Sequence, residues 1–287
     1  MKEFFTELWK DIRKNRGALA GLIIILLFLV MAFLAPILAP YGPGEVMDGA
    51  LRLPPGSTFE NHYFALGSDD IGRDLLSRLL YGSQVSLLVG FSVVLLAATI
   101  GTFLGLVSGY YGGWTDRIVS RSMDVIMSLP SVLFAIVIVA VLGPGLVNAI
   151  IAVSIVALPN FVRLIRAQAM AEKSKQYVQA AQLYGASHAR ILFKEILPNC
   201  VAPLIVQGSL GFSEGVLNCA ALGFLGLGAQ APTPEWGTML SDARSYIETS
   251  PWMVNFPGIC ILIVVLSFNL LGDGLRDALD PRLKNRS

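Results

Sequence analysis

The sequence predicts an all-α integral membrane protein with six transmembrane helices and both termini in the cytoplasm. Its composition is the first indication: 54% of its 287 residues are hydrophobic and 14% are charged, whereas soluble domains have about 25% charged residues. Six apolar stretches are the second indication, because a helix of roughly 20 residues crosses a hydrocarbon core of about 30 Å. The uneven placement of Lys and Arg around these stretches is the third, and it sets the orientation.

Residues 1–83 are the first of three predicted regions and hold an N-terminal amphipathic segment, the first span and a large periplasmic loop. Apolar residues near the N-terminus recur at helical spacing opposite basic ones, which predicts a short helix in the cytoplasmic headgroup layer; a frayed tail is the alternative. These apolar residues are Phe4, Phe5, Leu8, Trp9 and Ile12. Residues 17–38 carry no charge and form the first span, since the apolar run of a cleaved signal peptide has only about 7–15 residues.

Residues 39–84 form a long polar interval that is rich in Pro and Gly. Within it, Ser68, Asp69 and Asp70 are suited to cap a helix. The apolar face of that helix would contain Ile71, Leu75, Leu76, Leu79 and Leu80. We expect this helix to lie along the outer membrane surface before the second span.

Residues 84–275 are the predicted core of the permeation domain, and residues 276–287 are a cytoplasmic tail. The remaining apolar stretches cover residues 85–109, 125–142, 146–162, 200–227 and 254–272. Gly101, Gly105 and Gly109 recur at every fourth position of the second span, a spacing that lets helices approach closely in lipid. Pro130 interrupts the third span.

Lys and Arg residues determine the predicted orientation. Six spans place both termini on one side, and that side carries 17 of the 21 Lys and Arg residues, against four on the other. Because loops on the cytoplasmic side carry the excess of basic residues, the termini and the polar segment at residues 172–199 are expected to face the cytoplasm.

The sequence offers no catalytic or metal-binding machinery. It contains no Gly-Lys pair and so lacks the phosphate-binding loop of an ATPase. Its two histidines, His62 and His188, are too far apart in the chain to suggest a metal site. Cys200, Cys219 and Cys260 lie in or beside apolar runs and are interpreted as small hydrophobic residues. The chain is therefore expected to be a non-catalytic transporter or channel.

Glu214 is the one ionisable residue deep within a predicted span, and Asn218 follows one helical turn later on the same face. Ionisable residues within a membrane commonly mark a solute pathway, so both residues are predicted to line a polar path for a charged or zwitterionic solute. The alternative is that Glu214 pairs with a neighbouring helix or is protonated.

Residues 175–199 separate the fourth and fifth spans and are predicted to form two short helices. Gly185 ends the first helix, and the second runs to Leu197, where Pro198 stops it. The first helix is rich in Ala and Tyr, which favours insertion into a groove of another protein. A solvated loop is the alternative.

This segment resembles the EAA loop of permeases from binding-protein-dependent ABC importers. The resemblance rests on Gln179-Ala180-Ala181, on Gly185 and on Leu197-Pro198. Gln179 replaces the glutamate of the family pattern, and Glu195 occupies its isoleucine position. Residues 66–78, 221–228, 232–237 and 269–277 are similar to signatures of the peptide and nickel class, and together they look most like the C-type permease of a dipeptide importer.

The resemblance implies a type I ABC importer permease fold in the bacterial cytoplasmic (inner) membrane, surrounded by membrane lipid. It implies a heterodimer with a B-type permease, two ABC ATPase subunits that bind ATP and Mg, and a periplasmic or lipid-anchored peptide-binding protein. No cofactor on this chain and no nucleic acid are expected. The residues expected to couple to the ATPases are Tyr177, Gln179, Ala180, Ala181, Tyr184, Gly185, Leu197 and Pro198.

Dipeptides and short peptides are the expected solutes, with nickel, oligopeptides or glutathione as alternatives within the same class. A secondary transporter driven by an ion gradient is the alternative from a different class. It predicts coupling acids near the middle of the membrane and broken helices at repeated positions.

Overall fold

The computed structural model describes residue 9 and residues 12–279, so most of the predicted N-terminal amphipathic helix and residues 280–287 lie outside the described residues. Within the described part, the structure has five helices that are long and apolar enough to cross a membrane. They are α1 (Arg16–Leu38), α2 (Leu75–Tyr111), α5 (Leu146–Lys173), α7 (His188–Phe224) and α9 (Trp252–Leu279). This arrangement confirms the predicted all-helical membrane architecture.

The predicted third span at residues 125–142 is not one straight helix. It is divided between α3 (Gly113–Met127) and α4 (Ser131–Leu142), whose axes differ by 95°. Pro130 causes the break, because its ring fixes φ and disfavours helical geometry at the residue before it. With 12 residues, α4 is about 18 Å long at 1.5 Å per residue and does not cross the core alone. The molecule has six spans only if the bent pair counts as one.

The helix before the second span begins later than the sequence predicted. Asp74 caps α2 by accepting a hydrogen bond from the Ser77 backbone N–H at 2.7 Å, so Ser68, Asp69 and Asp70 do not form the cap. Gly72 has φ of +92°, which interrupts helical geometry ahead of Asp74. The predicted separate surface helix is therefore wrong: its later residues form the first turns of α2 itself.

A buried group of charged residues fastens the loop of residues 39–74 to the start of α2. Arg73 Nε lies 2.5 Å from Asp69 Oδ2, and Arg78 Nε lies 3.4 Å from the same oxygen. Arg78 Nη1 also donates to the Pro43 carbonyl at 3.1 Å. Arg73 extends the group to Asp242 at 3.7 Å. The loop also contains a two-stranded antiparallel sheet, β1 (Ser57–Phe59) and β2 (His62–Phe64).

A short helix, α8 (Trp236–Ala243), packs between α7 and α9 at the same end of the molecule as this loop. Trp236 is fully buried and donates its indole N–H to the Leu79 carbonyl at 3.2 Å. Glu235 caps the helix by accepting from the Gly237 and Thr238 backbone N–H groups at 2.8 and 2.9 Å. Burial raises the pKa of Glu235.

The predicted glycine spacing on the second span forms a close packing surface between α2 and α5. A Cβ placed at Gly101 would lie 2.6 Å from Phe161 Cβ, and one placed at Gly105 would lie 2.8 Å from Ile165 Cβ. Real Cβ atoms do not approach this closely. The glycines therefore allow α2 and α5 to pack more tightly than side chains would permit, as expected for helices in lipid.

We predict that Gly105→Ala destabilises the protein, because the added methyl group forces α2 and α5 apart. Overpacking of this kind costs about 1–3 kcal/mol. The control is Gly208→Ala in α7, where the added Cβ would meet Val94 Cγ1 at an ordinary 3.6 Å. The midpoint of thermal unfolding in detergent should fall for Gly105→Ala and stay level or rise for the control; equal midpoints would contradict close packing at this surface.

Candidate functional site

The polar segment at residues 172–199 contains one short helix and the first turns of the long helix α7. The short helix, α6 (Gln176–Leu183), ends before Gly185, whose φ is +75°; this confirms the predicted first helix. The second helix does not stop at Pro198, because α7 continues to Phe224. A π-helical turn over Ile191–Ile196 directly precedes Pro198 and adjusts the backbone hydrogen bonding around the residue that lacks an N–H.

The base of this segment is packed against the long helices. Val178 of α6 and Ile191 and Ile196 of α7 are fully or almost fully buried. They share an apolar cluster with residues of α2 and α5, namely Leu106, Tyr110, Ile165 and Ala169. The segment is therefore part of the folded helical body and not a loose connection.

A buried carboxylate holds the two ends of the segment together. Glu172, only 3% exposed, accepts hydrogen bonds from Lys175 Nζ at 2.6 Å and from the Tyr177 hydroxyl at 2.5 Å. Asn199 Nδ2 donates to the same hydroxyl at 3.1 Å and to the Glu195 carbonyl at 2.8 Å. Burial and the hydrogen bond to Glu172 raise the pKa of Tyr177, which keeps its hydroxyl protonated as a donor.

A second set of contacts ties the segment to the end of α2. The Tyr110 hydroxyl and His188 Nδ1 are 2.8 Å apart, and Lys173 Nζ donates to the Tyr110 carbonyl at 2.6 Å. Sequence reasoning did not identify Glu172, Asn199, Tyr110 or His188 as parts of this site. The residues are far apart in sequence, and only the folded structure brings them together.

The tip of the segment projects away from the helical body. Leu183 is 88% exposed and Tyr184 is 92% exposed, next to the exposed Gly185. The eight residues predicted for this site therefore divide into two groups. Tyr177, Ala181 and Leu197 contact the base of the segment, whereas Gln179, Tyr184, Gly185 and Pro198 are exposed and Ala180 is half-buried. Leu183 was not predicted, although it is as prominent as Tyr184.

A cavity of about 430 Å³ lies between the α3–α4 turn, α5 and α7. Both Glu214 and Asn218, which the sequence predicted to share a face, line it, together with Asn160 of α5. Asn160 Nδ2 lies 3.5 Å from Glu214 Oε2. The other lining residues are Ile126, Met127, Leu129, Ser131, Val153, Val156, Ala157, Pro159, Gly215 and Leu217. Most of the lining side chains are thus apolar, and the polar groups of Glu214, Asn160 and Asn218 share the cavity surface with them.

A helical membrane body with a wall cavity and one packed, protruding segment defines a membrane transport component, and comparison with known families agrees. Residues 101–285 match the family described as binding-protein-dependent transport system inner membrane component. Residues 3–55 match the N-terminal transmembrane domain of oligopeptide transport permease C. The chain belongs to the family of binding-protein-dependent transport system inner membrane components.

Among its relatives are proteins named for peptide transport. The dipeptide transport system permease protein DppC of Haemophilus influenzae is 51% identical over 97% of this chain and 95% of its own length. The di/tripeptide permease DppC of Pseudomonas aeruginosa is 52% identical over 97% of this chain and 92% of its own. The glutathione permease GsiD of Pectobacterium atrosepticum is 43% identical over 97% and 91%.

The fold also matches a solved structure. A chain of the inward-facing MetNI methionine ABC transporter aligns with a TM-score of 0.58 and 20% identity, covering 71% of this chain and 97% of that one. At that identity the match establishes a shared fold alone.

We predict that Glu172→Ala opens the protruding segment, because Lys175 and Tyr177 lose their common acceptor. Hydrogen bonds to charged groups contribute about 1.5–3 kcal/mol, so the open population should rise roughly ten- to a hundredfold. Trypsin should cut faster at Arg190 and Lys194 in the variant, since proteolysis follows the open population. Gln182→Ala, an exposed change in α6, should leave cleavage unchanged. Equal rates for both variants would show that Glu172 does not hold the segment.

Proposed function

We propose that this chain is a permease subunit of an ATP-driven importer that takes up dipeptides and other short peptides delivered by a binding protein. The observation that carries the proposal is the identity of 51–52% to dipeptide and di/tripeptide permeases along nearly the whole chain. The glutathione permease is more distant, at 43%. Dipeptides are therefore favoured over glutathione, and nickel and oligopeptides stay alternatives within the class.

A secondary transporter driven by an ion gradient fits these observations less well. Such proteins carry coupling acids near the middle of the membrane and discontinuous helices in repeated positions. Among the residues that line the cavity, Glu214 is the one acid. The bent pair α3–α4 is also the one broken span within the described residues.

The proposed topology is six spans in the bacterial inner membrane, with α3 and α4 together forming the third and both termini in the cytoplasm. The distribution of Lys and Arg, 17 against four, supports this orientation. Residues 1–83 would then hold the first span and the periplasmic loop, residues 84–275 the core, and residues 276–287 a cytoplasmic tail.

The proposed complex divides the work among several chains. This chain and a B-type permease would each form half of the translocation pathway, with Glu214 and Asn218 on this half. Two ABC ATPase subunits would bind ATP and Mg, and a periplasmic or lipid-anchored protein would deliver the peptide. This chain itself would catalyse no reaction and would bind no cofactor, which agrees with the absence of a Gly-Lys pair in its sequence.

The protruding segment would connect the ATPases to the pathway. Its tip, Leu183 with Tyr184, offers apolar and aromatic side chains to a groove in a partner. Its base is packed on α2 and α5, and α7 runs from His188 through Glu214 as one helix. The 26 residues between those positions span about 39 Å along the helix. Movement of the tip would therefore displace the wall of the cavity.

Co-purification tests the proposed complex. The chain is expressed with the B-type permease and the two ATPase subunits of the proposed complex, and a tag on this chain is used for isolation. Both ATPase subunits should co-purify, and their hydrolysis of ATP should rise when a peptide-loaded binding protein is added. Purification of the chain without ATPase subunits, under conditions where all four chains are made, would contradict the proposal.

We predict that replacing both tip residues, Leu183→Ser and Tyr184→Ser, weakens ATPase association at least tenfold, because the variant loses the apolar surface that docks. Insertion in the membrane and the unfolding midpoint should not change, since both side chains are exposed. The control is Ile247→Ser, which alters an apolar residue that is 58% exposed at the opposite end of the molecule. Normal ATPase recovery with the tip variant would place the docking surface elsewhere.

A further inference from the structure

Among the residues that the structure describes, Glu214 is the single charged one on the wall of the cavity. The other twelve lining residues are apolar side chains, a glycine, a serine and two asparagines, without a lysine or arginine among them. The volume of about 430 Å³ falls within the range of about 300–1,000 Å³ that is usual for sites of small molecules. A negative charge in mostly apolar surroundings attracts cations and disfavours anions.

The Glu214 carboxylate differs from the buried carboxylates of the chain. Glu172 and Glu235 are buried, and each accepts at least two hydrogen bonds shorter than 3.0 Å. Glu214 is exposed to the cavity. Within the described residues, its one hydrogen bond comes from Asn160 at 3.5 Å, the outer limit for such a bond. Because a carboxylate accepts up to about four hydrogen bonds, most of this capacity is free.

The surrounding groups favour an ammonium group over a metal ion. Divalent nickel is commonly bound by imidazole nitrogen, and Ca²⁺ takes about six to eight oxygen ligands. The cavity wall has no histidine or cysteine, and no group of three or more potential metal ligands occurs within the described residues. An ammonium group instead donates three hydrogen bonds, for which the Glu214 carboxylate and the amide oxygens of Asn160 and Asn218 are available.

We propose that Glu214, Asn160 and Asn218 form a transient site for the N-terminal ammonium group of the peptide as it passes through the membrane. The inference rests on the proposed function, in which this cavity lines the translocation pathway. The ammonium group is the positive charge that all unmodified peptides share, whatever their side chains. A site that binds this group would lower the cost of moving a charged peptide end through an apolar passage without selecting for sequence.

The test measures the charge preference at the cavity wall through Asn218→Cys in the full chain, assembled in membranes. Two methanethiosulfonate reagents of similar size are compared, one with a trimethylammonium group and one with a sulfonate group. Modification is localised to residue 218 by fragmentation of the peptide in tandem mass spectrometry, which separates it from Cys200 and Cys219 on the same tryptic peptide and from Cys260. We expect the cationic reagent to react faster, and its advantage to fall about tenfold when Glu214→Gln is added.

Matched variants and ligands separate the possible outcomes. Glu214→Asp should retain the preference for the cationic reagent. A dipeptide with a free amine should slow the reaction of the cationic reagent more than the N-acetylated dipeptide does. Equal rates for the two reagents, unchanged by Glu214→Gln, would contradict the ammonium site while leaving the pathway in place. Reaction with neither reagent would contradict both the ammonium site and the pathway. If Asn218→Cys does not assemble, Leu217→Cys on the same wall gives the same comparison.

Discussion

The continuity of α7 is the constraint on which the rest of the structure depends. This helix begins in the protruding segment at His188 and ends at Phe224, so the segment and the Glu214 side of the cavity share one backbone. Lipid cannot supply hydrogen bonds to the backbone, so a spanning helix keeps its own hydrogen bonds and moves largely as a rod. Displacement of the His188 end of α7 therefore reaches the cavity along one helix, whereas Tyr184 at the tip is joined to that end through the turn at Gly185.

Packing at both ends of the molecule makes this rod effective. At one end, Val178, Ile191 and Ile196 fasten the segment to α2 and α5. The Tyr177 hydroxyl joins the two ends of the segment, since it donates to Glu172 and accepts from Asn199. At the other end, the charged group around Asp69 fixes the long loop to the start of α2. The cavity lies between these two fixed regions, beside the 95° bend of α3 and α4. In the proposed complex, this arrangement would carry movement from the ATPase side to the pathway.

Hydropathy predicted most of the fold because the lipid imposes a simple rule on length and polarity. Five of the six predicted spans correspond to long helices, and the spacing of Gly101, Gly105 and Gly109 predicted a real packing surface. The errors occurred where local backbone chemistry competes with hydropathy. The interruption at Pro130 was predicted, although not the 95° angle between α3 and α4, whereas the predicted stop at Pro198 was wrong because α7 continues past a π-helical turn. The start of α2 depends on the turn at Gly72, which the capping pattern alone did not reveal.

The candidate site was predictable only in part. Glu214 and Asn218 stood out because polar residues are rare within spans, and their helical spacing placed them on one face. Asn160 belongs to another helix, and its approach to Glu214 depends on how α5 packs against α7. Glu172 was also missed: its own partners, Lys175 and Tyr177, follow within five residues, but the link from the Tyr177 hydroxyl to Asn199 depends on how α6 packs beside α7. Exposure of Leu183 follows from the orientation of α6, which the sequence does not specify.

The central claim is that this chain is a passive gate moved by ATPase partners. Uptake of a labelled dipeptide into vesicles tests this claim most directly. The vesicles contain the complete complex with its loaded binding protein, and ionophores collapse all ion gradients. The account predicts that peptide accumulates only when ATP is supplied to the ATPase side. Accumulation driven by an ion gradient, in vesicles that contain this chain but no ATPase subunits, would contradict it.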